Sequence, residues 1–189
     1  MQTQSTNIMD QIEQFKKDFY QTNGKNTFFK KTQKQECANL ISKTFDVNEM
    51  IQKTVYVIPG TNQIFFDYTV FKLYANDSNY ETIVNAITTI YDLVLLQYHN
   101  FVVHIDLNTF SVSAADRYKP MIQLFCQKCM NSDTKYSELI SHMYLYNTPA
   151  MIDTIMTVVK PFVDPNIIGR ITKYTKEESA EQFRKLNQK

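Results

Sequence analysis

From Asn79 onward the chain switches repeatedly between helical and extended periodicity, and that alternation restricts the architecture more than any other feature. Residues 79–97 place Ile83, Ala86, Ile87, Ile90 and Val94 on one stripe, with Tyr98 just beyond, as in an amphipathic helix. Residues 101–107 are a nearly continuous apolar run interrupted by His104 and Asp106, the pattern of a strand buried on both faces. Ser113 stands where it would cap a helix over 114–130, whose stripe is Ala114, Tyr118, Met121, Phe125 and Cys129. A strand at 143–146, an apolar helix at 150–159, a weak strand at 171–174 and a charged helix at 176–186 follow. Strand–helix alternation of this kind predicts an α/β fold, a mostly parallel sheet flanked by helices.

The first 78 residues are less regular. Ile8, Ile12, Phe15 and Phe19 recur at helical spacing over 7–20, and Cys37, Leu40, Ile41 and Phe45 do so within 28–45. Residues 54–58 read as a strand, Pro59-Gly60 as a turn, and 64–74, rich in aromatic and β-branched side chains, as one long strand ended by Ala75-Asn76-Asp77-Ser78. The organisation expected is a short N-terminal helical region over 1–50 followed by the main domain over 51–189.

A chain of 189 residues with 43% apolar content can bury a sizeable core, and its 13 Phe, 12 Tyr and 8 Met suit an apolar cavity as well as a packed interior. A net charge of +1 does not point to nucleic acid. Gly24, Gly60 and Gly169 form neither a dinucleotide nor a nucleotide-triphosphate loop. The polar start lacks the basic and apolar regions of a secretory signal, and no run is long enough to span a bilayer. Three cysteines, Cys37, Cys126 and Cys129, give no even disulfide framework, so reduced thiols and a cytoplasmic location are expected.

Two constellations resemble chemistry without completing it. Cys126 and Cys129 are a C-x-x-C late in a helix, where the dipole opposes a thiolate, and no second ligand pair completes a zinc site. They read as core. His104 and Asp106 share one face of a strand and could mimic a triad with Ser111 or Ser113, but the nucleophile elbow is absent. Asp106 reads instead as an acceptor for the turn after it. The basic residues Lys173, Lys176, Arg184, Lys185 and Lys189 alternate with Glu177, Glu178 and Glu181, as on a solvated face, with a phosphate-rich membrane surface as the alternative.

The stretch 141–165 is the most distinctive. A Tyr-rich strand meets Asn147-Thr148-Pro149, an apolar helix follows, and the helix ends on Lys160-Pro161-Phe162-Val163-Asp164-Pro165. Met151, Ile152, Ile155, Met156 and Val159 make one stripe, Val158 and Phe162 widen it, and Asp153 is the helix's only charge before Lys160. Such a helix is either central in a core or packed on protein with one side and on lipid with the other. This order, together with the 101–113 strand and turn, Arg117-Tyr118-Lys119-Pro120 and Tyr136-Ser137-Glu138, resembles the CRAL-TRIO lipid-binding family over about 54–174. Thr109 stands where that family has Gly.

The resemblance implies a lipid-binding or lipid-transfer protein that is not an enzyme and uses no cofactor besides a bound lipid. The 150–159 helix would be a gate over an apolar pocket, opened during transient membrane association. The pocket and gate residues implied are Phe101, Val103, Ile105, Tyr144 and Tyr146 on the strands, then Met151, Ile152, Ile155, Met156, Val159 and Phe162. By position, the headgroup residues of the phosphatidylinositol-transfer members fall on Glu138 and Arg170, with Lys173 nearby, so a phosphoinositide is the implied lipid. Phe101 and Val103 lack the hydroxyls that phosphatidylcholine binders carry there. The family's N-terminal helical domain is larger and it ends on a further Leu-Pro-x-x-Tyr-Gly-Gly segment, so a minimal domain is expected. The competing expectation is an interaction scaffold for a protein such as a small GTPase, as in divergent relatives.

Overall fold

The computed structural model describes residues 7–25 and 28–186. Two helices open the chain, α1 (Ile8–Asn23), capped by the Asn7 side chain, and α2 (Lys30–Thr44). A short α3 (Val47–Thr54), capped by Asp46, leads straight into β1 (Val55–Val57). Ile12, Cys37 and Ile41 are buried in the same hydrophobic cluster as the β1 residue Val55 and the sheet residue Ile64.

β2 (Gln63–Asp67) is much shorter than the strand expected over 64–74. The second half of that run is a helix, α4 (Tyr68–Tyr74). Asp67 is the physical reason. Its carboxylate accepts from Thr69 N at 2.6 Å and Val70 N at 3.3 Å, which satisfies two otherwise orphaned donors and starts a helix. The aromatic residues that suggested a strand then fall at helical spacing, with Tyr68, Phe71 and Tyr74 buried.

The alternation after α4 follows the sequence pattern. α5 (Tyr80–Leu95), β3 (Phe101–Asp106), α6 (Val112–Asn131), a one-turn α7 (Tyr136–Leu139), β4 (Ile140–Tyr146) and α8 (Ile152–Val159) succeed one another. Ser111, not Ser113, caps α6, accepting from Ala114 N at 3.3 Å. A 3-10 turn over Lys160–Phe162, a four-residue α9 (Pro165–Ile168), β5 (Ile171–Lys173) and α10 (Lys176–Leu186) complete the fold.

The sheet order is β1-β2-β3-β4-β5, antiparallel for the first pair and parallel for the rest. Because parallel crossovers share one hand and the strands lie in chain order, successive crossovers fall on the same side of the sheet. α5, α6 and α8 accordingly all face one side, where they meet Val103, Ile105, Met143 and Leu145. The opposite side carries a row of rings. His104 stacks on Tyr144 and Tyr146, Tyr174 stacks on the same two tyrosines, and Phe183 of α10 packs on Tyr146 and Phe65.

Two turns at the C-terminal ends of the strands have left-handed backbone. Thr109 has φ 66° and Asn147 φ 51°. Asn tolerates this region, whereas a β-branched residue is strained in it. At Thr109, Lys72 Nζ donates to the side-chain Oγ1 at 2.5 Å.

Candidate functional site

Between the sheet and its helices lies a cavity of about 270 Å³. Its floor is Ile64, Val103, Ile105, Met143 and Leu145, the side chains that alternation turns toward the helices. α6 forms one wall with Met121, Ile122, Phe125, Cys126 and Cys129. α8 forms the roof with Ile152, Ile155, Met156 and Val159, and Phe162 of the following turn closes its end.

The roof helix is held differently from the rest. Ile152 packs with Leu107 and Leu145 in a small cluster of its own, separate from the main core and bridged to it by the half-buried Ile105, Phe110 and Met143. Ile155 is buried, while Met151 and Val158 are 55% and 38% exposed. The helix is therefore covered by protein on one side and bare on the other. Its polar ties are few. Lys173 Nζ lies 2.6 Å from Asp153 Oδ1, linking β5 to the first turn. Thr148, in the turn before the helix, donates from both its backbone N and its hydroxyl to the Tyr174 carbonyl. At the far end the Lys119 ammonium sits over the Phe162 ring, 5.6 Å from its centre.

The wall is almost wholly apolar. Among the described residues no Lys, Arg or His lines it, and its one charged side chain is Asp164. Hydrogen bonds from the Ser137 hydroxyl and from the Asn166 backbone N–H hold the Asp164 carboxyl below its usual range. Tyr136 turns its hydroxyl away from the cavity to Asp92 at 2.7 Å. Burial pushes the Cys126 thiol up to about 11 and the Cys129 thiol to about 12. Both are neutral thiols at neutral pH, part of an apolar wall and not nucleophiles.

Of the pocket and gate residues expected from sequence, Val103, Ile105, Ile152, Ile155, Met156, Val159 and Phe162 line the cavity. Four do not. Phe101 is fully buried in the main core, its ring 4.5 Å from that of Tyr91. Tyr144 and Tyr146 project from the other face of β4, because side chains alternate along a strand and Met143 and Leu145 take the cavity side. Met151 precedes the first turn of α8 and points outward.

The three expected headgroup residues are not gathered around one point. Arg170 donates to the backbone carbonyls of Ser137 at 3.0 Å, Glu138 at 3.3 Å and Ile140 at 2.7 Å, closing the end of α7. The Glu138 carboxylate points outward and meets Lys135 at 3.7 Å. Lys173 is engaged by Asp153. Ser137 and Asp164, which sequence reasoning did not place in the wall, are its polar corner. Their signal was present, since Asp164 belongs to the Lys-Pro-Phe-x-Asp-Pro segment and Ser137 to Tyr-Ser-Glu.

His104 and Asp106 do not act on each other. His104 Nδ1 lies 2.8 Å from the Tyr146 hydroxyl. Asp106 accepts from Asn108 N at 2.8 Å and from Asn147 Nδ2 at 2.7 Å, pinning the two left-handed turns together. In the basic C-terminal run Lys185 pairs with Glu181 at 2.7 Å, as on a solvated helix face, and Lys189 lies outside the described residues. No helix among the described residues is long and apolar enough to cross a membrane.

A mostly parallel sheet whose crossovers share one face and enclose an apolar cavity under a short, half-exposed helix defines an α/β protein built to hold a hydrophobic ligand. Residues 30–189 match the CRAL/TRIO domain, and the chain belongs to that family. The crystal structure of Sfh5 is similar in fold, with a TM-score of 0.56 at 17% identity over 93% of this chain and 67% of that one. No curated protein matches the chain.

Proposed function

We propose that the protein binds a single lipid in this cavity and exchanges it with membranes by displacement of α8. The observation that supports this reading best is the combination of an apolar cavity with a roof helix that packs on a small separate cluster. Opening the roof exposes chiefly Ile152 and Ile155, at a cost of roughly 1.5–3 kcal/mol for each side chain uncovered. A bilayer that receives Met151 and Val158 offsets part of that cost. Each methylene of a chain inserted in the cavity contributes about 0.8 kcal/mol toward keeping the lipid. No catalytic step is part of the proposal.

A phosphoinositide is the ligand suggested by family resemblance through Glu138, Arg170 and Lys173. It requires Arg170 to leave three carbonyls and Lys173 to leave Asp153. A scaffold for a small GTPase or other protein would be favoured by a cavity filled with its own side chains. Met156 and Phe162 do point inward, yet a void of about 270 Å³ remains, which favours the lipid reading.

The test is native mass spectrometry of the protein purified from a eukaryotic host, with solvent extraction of the same sample, followed by incubation of delipidated protein with mixed-lipid vesicles. A 1:1 hydrophobic adduct, lost on extraction and regained from vesicles, is the expected result. An apo mass that no lipid mixture shifts, with the fold intact by circular dichroism, overturns the proposal.

A further inference from the structure

We propose that Ser179 is a positioning residue for the roof: reaching in from the face of the sheet opposite the cavity, its hydroxyl holds the turn that leads into α8 and so sets how readily α8 is displaced. The inference rests on the reading of α8 as a displaceable roof and names the group that restrains its entry.

The burial of Ser179 is the first argument. α10 is a charged helix, and Ser179 is its one buried residue, at 0% exposure. Beyond it, α10 meets the sheet through Phe183, whose half-buried ring packs on Tyr146 and Phe65. A hydroxyl is costly to bury unless its hydrogen bonds are made. The place of Ser179 is therefore explained by what it bonds to.

Those bonds are the second argument. A hydroxyl has one donor and two acceptor positions. Ser179 Oγ donates to the Thr175 carbonyl at 2.6 Å, one turn back in its own helix, and accepts from the Asn147 backbone N–H at 2.7 Å. Asn147 is the left-handed residue, φ 51°, at which the chain leaves β4 for the roof. Its N–H lies beyond the strand, which ends at Tyr146, and Ser179 supplies the acceptor. The next residue, Thr148, donates to the Tyr174 carbonyl from its N–H at 3.0 Å and its hydroxyl at 2.8 Å. The entry turn of the roof thus hangs on residues 174–179.

Rigidity is the third. Thr175 N donates to Glu178 Oε2 at 2.8 Å, and Glu178 N donates to Thr175 Oγ1 at 3.3 Å, a reciprocal box that fixes the first turn of α10. Ser179 follows directly, so its hydroxyl is aimed by a set piece of backbone. On the other side of the turn, Pro149 has a fixed φ and only Ala150 and Met151 separate it from α8. Freedom at Asn147 and Thr148 passes to the helix with little slack between.

The experiment uses delipidated full-length protein and amide hydrogen exchange read by mass spectrometry, which needs no ligand. Ser179→Ala removes the acceptor and leaves a better helix former in α10. The expected result is exchange over residues 147–159 at least about tenfold faster than in the wild type, equivalent to about 1.4 kcal/mol, with a smaller change or none over α5. Ile83→Val, a change buried in the main core on α5, controls for general loss of stability and should not single out 147–159. Phe183→Ala loosens α10 on the ring stack without touching the hydroxyl and should speed the same segment by a smaller factor. It decides the matter if circular dichroism finds Ser179→Ala unfolded. Transfer of pyrene-labelled phosphatidylinositol between phosphatidylcholine vesicles, measured on the same proteins, should quicken in step. A folded Ser179→Ala whose exchange over 147–159 is unchanged, or rises no more than over α5, overturns the inference and leaves the lipid-site reading standing. Faster exchange over 147–159 without faster lipid transfer supports the hold of Ser179 on the turn and overturns displacement of α8 as the route of lipid exchange.

Discussion

Lys173 Nζ and Asp153 Oδ1 are 2.6 Å apart, and this ion pair is the polar link between β5 and the first turn of the roof helix. Both partners are solvent-exposed, the Asp153 side chain at 85%, so the pair contributes little to global stability. In the displacement of α8 proposed above, its position would make it a restraint.

Lys173→Ala is expected to change unfolding stability by no more than about 1 kcal/mol while speeding lipid exchange between vesicles. Raising ionic strength should speed exchange by the wild type and have little effect on the variant, because salt screens an exposed pair. Exchange of a fluorescent lipid measured at low and high salt checks both. Equal salt dependence in the two proteins would rule out the restraint.

Arg170 acts on the fold through one guanidinium nitrogen, Nη1, which reaches three backbone carbonyls. Arg170→Ala leaves the carbonyls of Ser137, Glu138 and Ile140 without that partner and should destabilise the protein by about 1–3 kcal/mol in urea unfolding. Arg170→Lys should recover only part of the loss, since the lysine ammonium ends one bond short of the position that Nη1 takes.

Thr109→Gly should stabilise the protein. A β-branched residue at φ 66° carries about 1–2 kcal/mol of strain that Gly lacks. Loss of the Lys72 contact and the greater chain entropy of Gly offset part of this. A net gain of about 0.5–1 kcal/mol is expected, seen as a melting temperature higher by about 2 °C.

Cys126 and Cys129 give the cavity a chemical reporter. Their folded-state values, about 11 and about 12, lie above the ordinary 9.0, so the folded protein holds these thiol protons more tightly than the unfolded chain does. The resulting stabilisation is fully present below about pH 9 and is lost as pH rises through 11 and 12. Alkylation by iodoacetamide at pH 8 should be slow in the native protein, fast in urea, and slower still when a ligand fills the cavity. Unchanged alkylation on ligand loading would place the ligand elsewhere.

The alternation after Asn79 was legible because period-2 and period-3.6 patterns differ clearly over helices as long as α5 and α6. The run 64–74 was misread because aromatic and β-branched residues suit either state, and the single carboxylate of Asp67 decided between them. The roof helix was legible from its stripe, down to Ile152, Ile155, Met156 and Val159. Tyr144 and Tyr146 were misplaced although period-2 alternation already separates them from Met143 and Leu145. The engagement of Arg170 was not legible, since its partners are backbone carbonyls that carry no mark in the sequence.

The two faces of β3 and β4 carry different duties, and the parity of residue number divides them: Val103, Ile105, Met143 and Leu145 floor the cavity, while His104, Tyr144 and Tyr146 build the outer ring stack. An insertion or deletion of one residue in either strand would exchange the two sets at a stroke. A lineage carrying this fold can therefore alter its ligand by replacing odd-numbered side chains one at a time, whereas length variation is confined to the loops, and the ring stack acts as the lock that keeps the reading frame of the pocket.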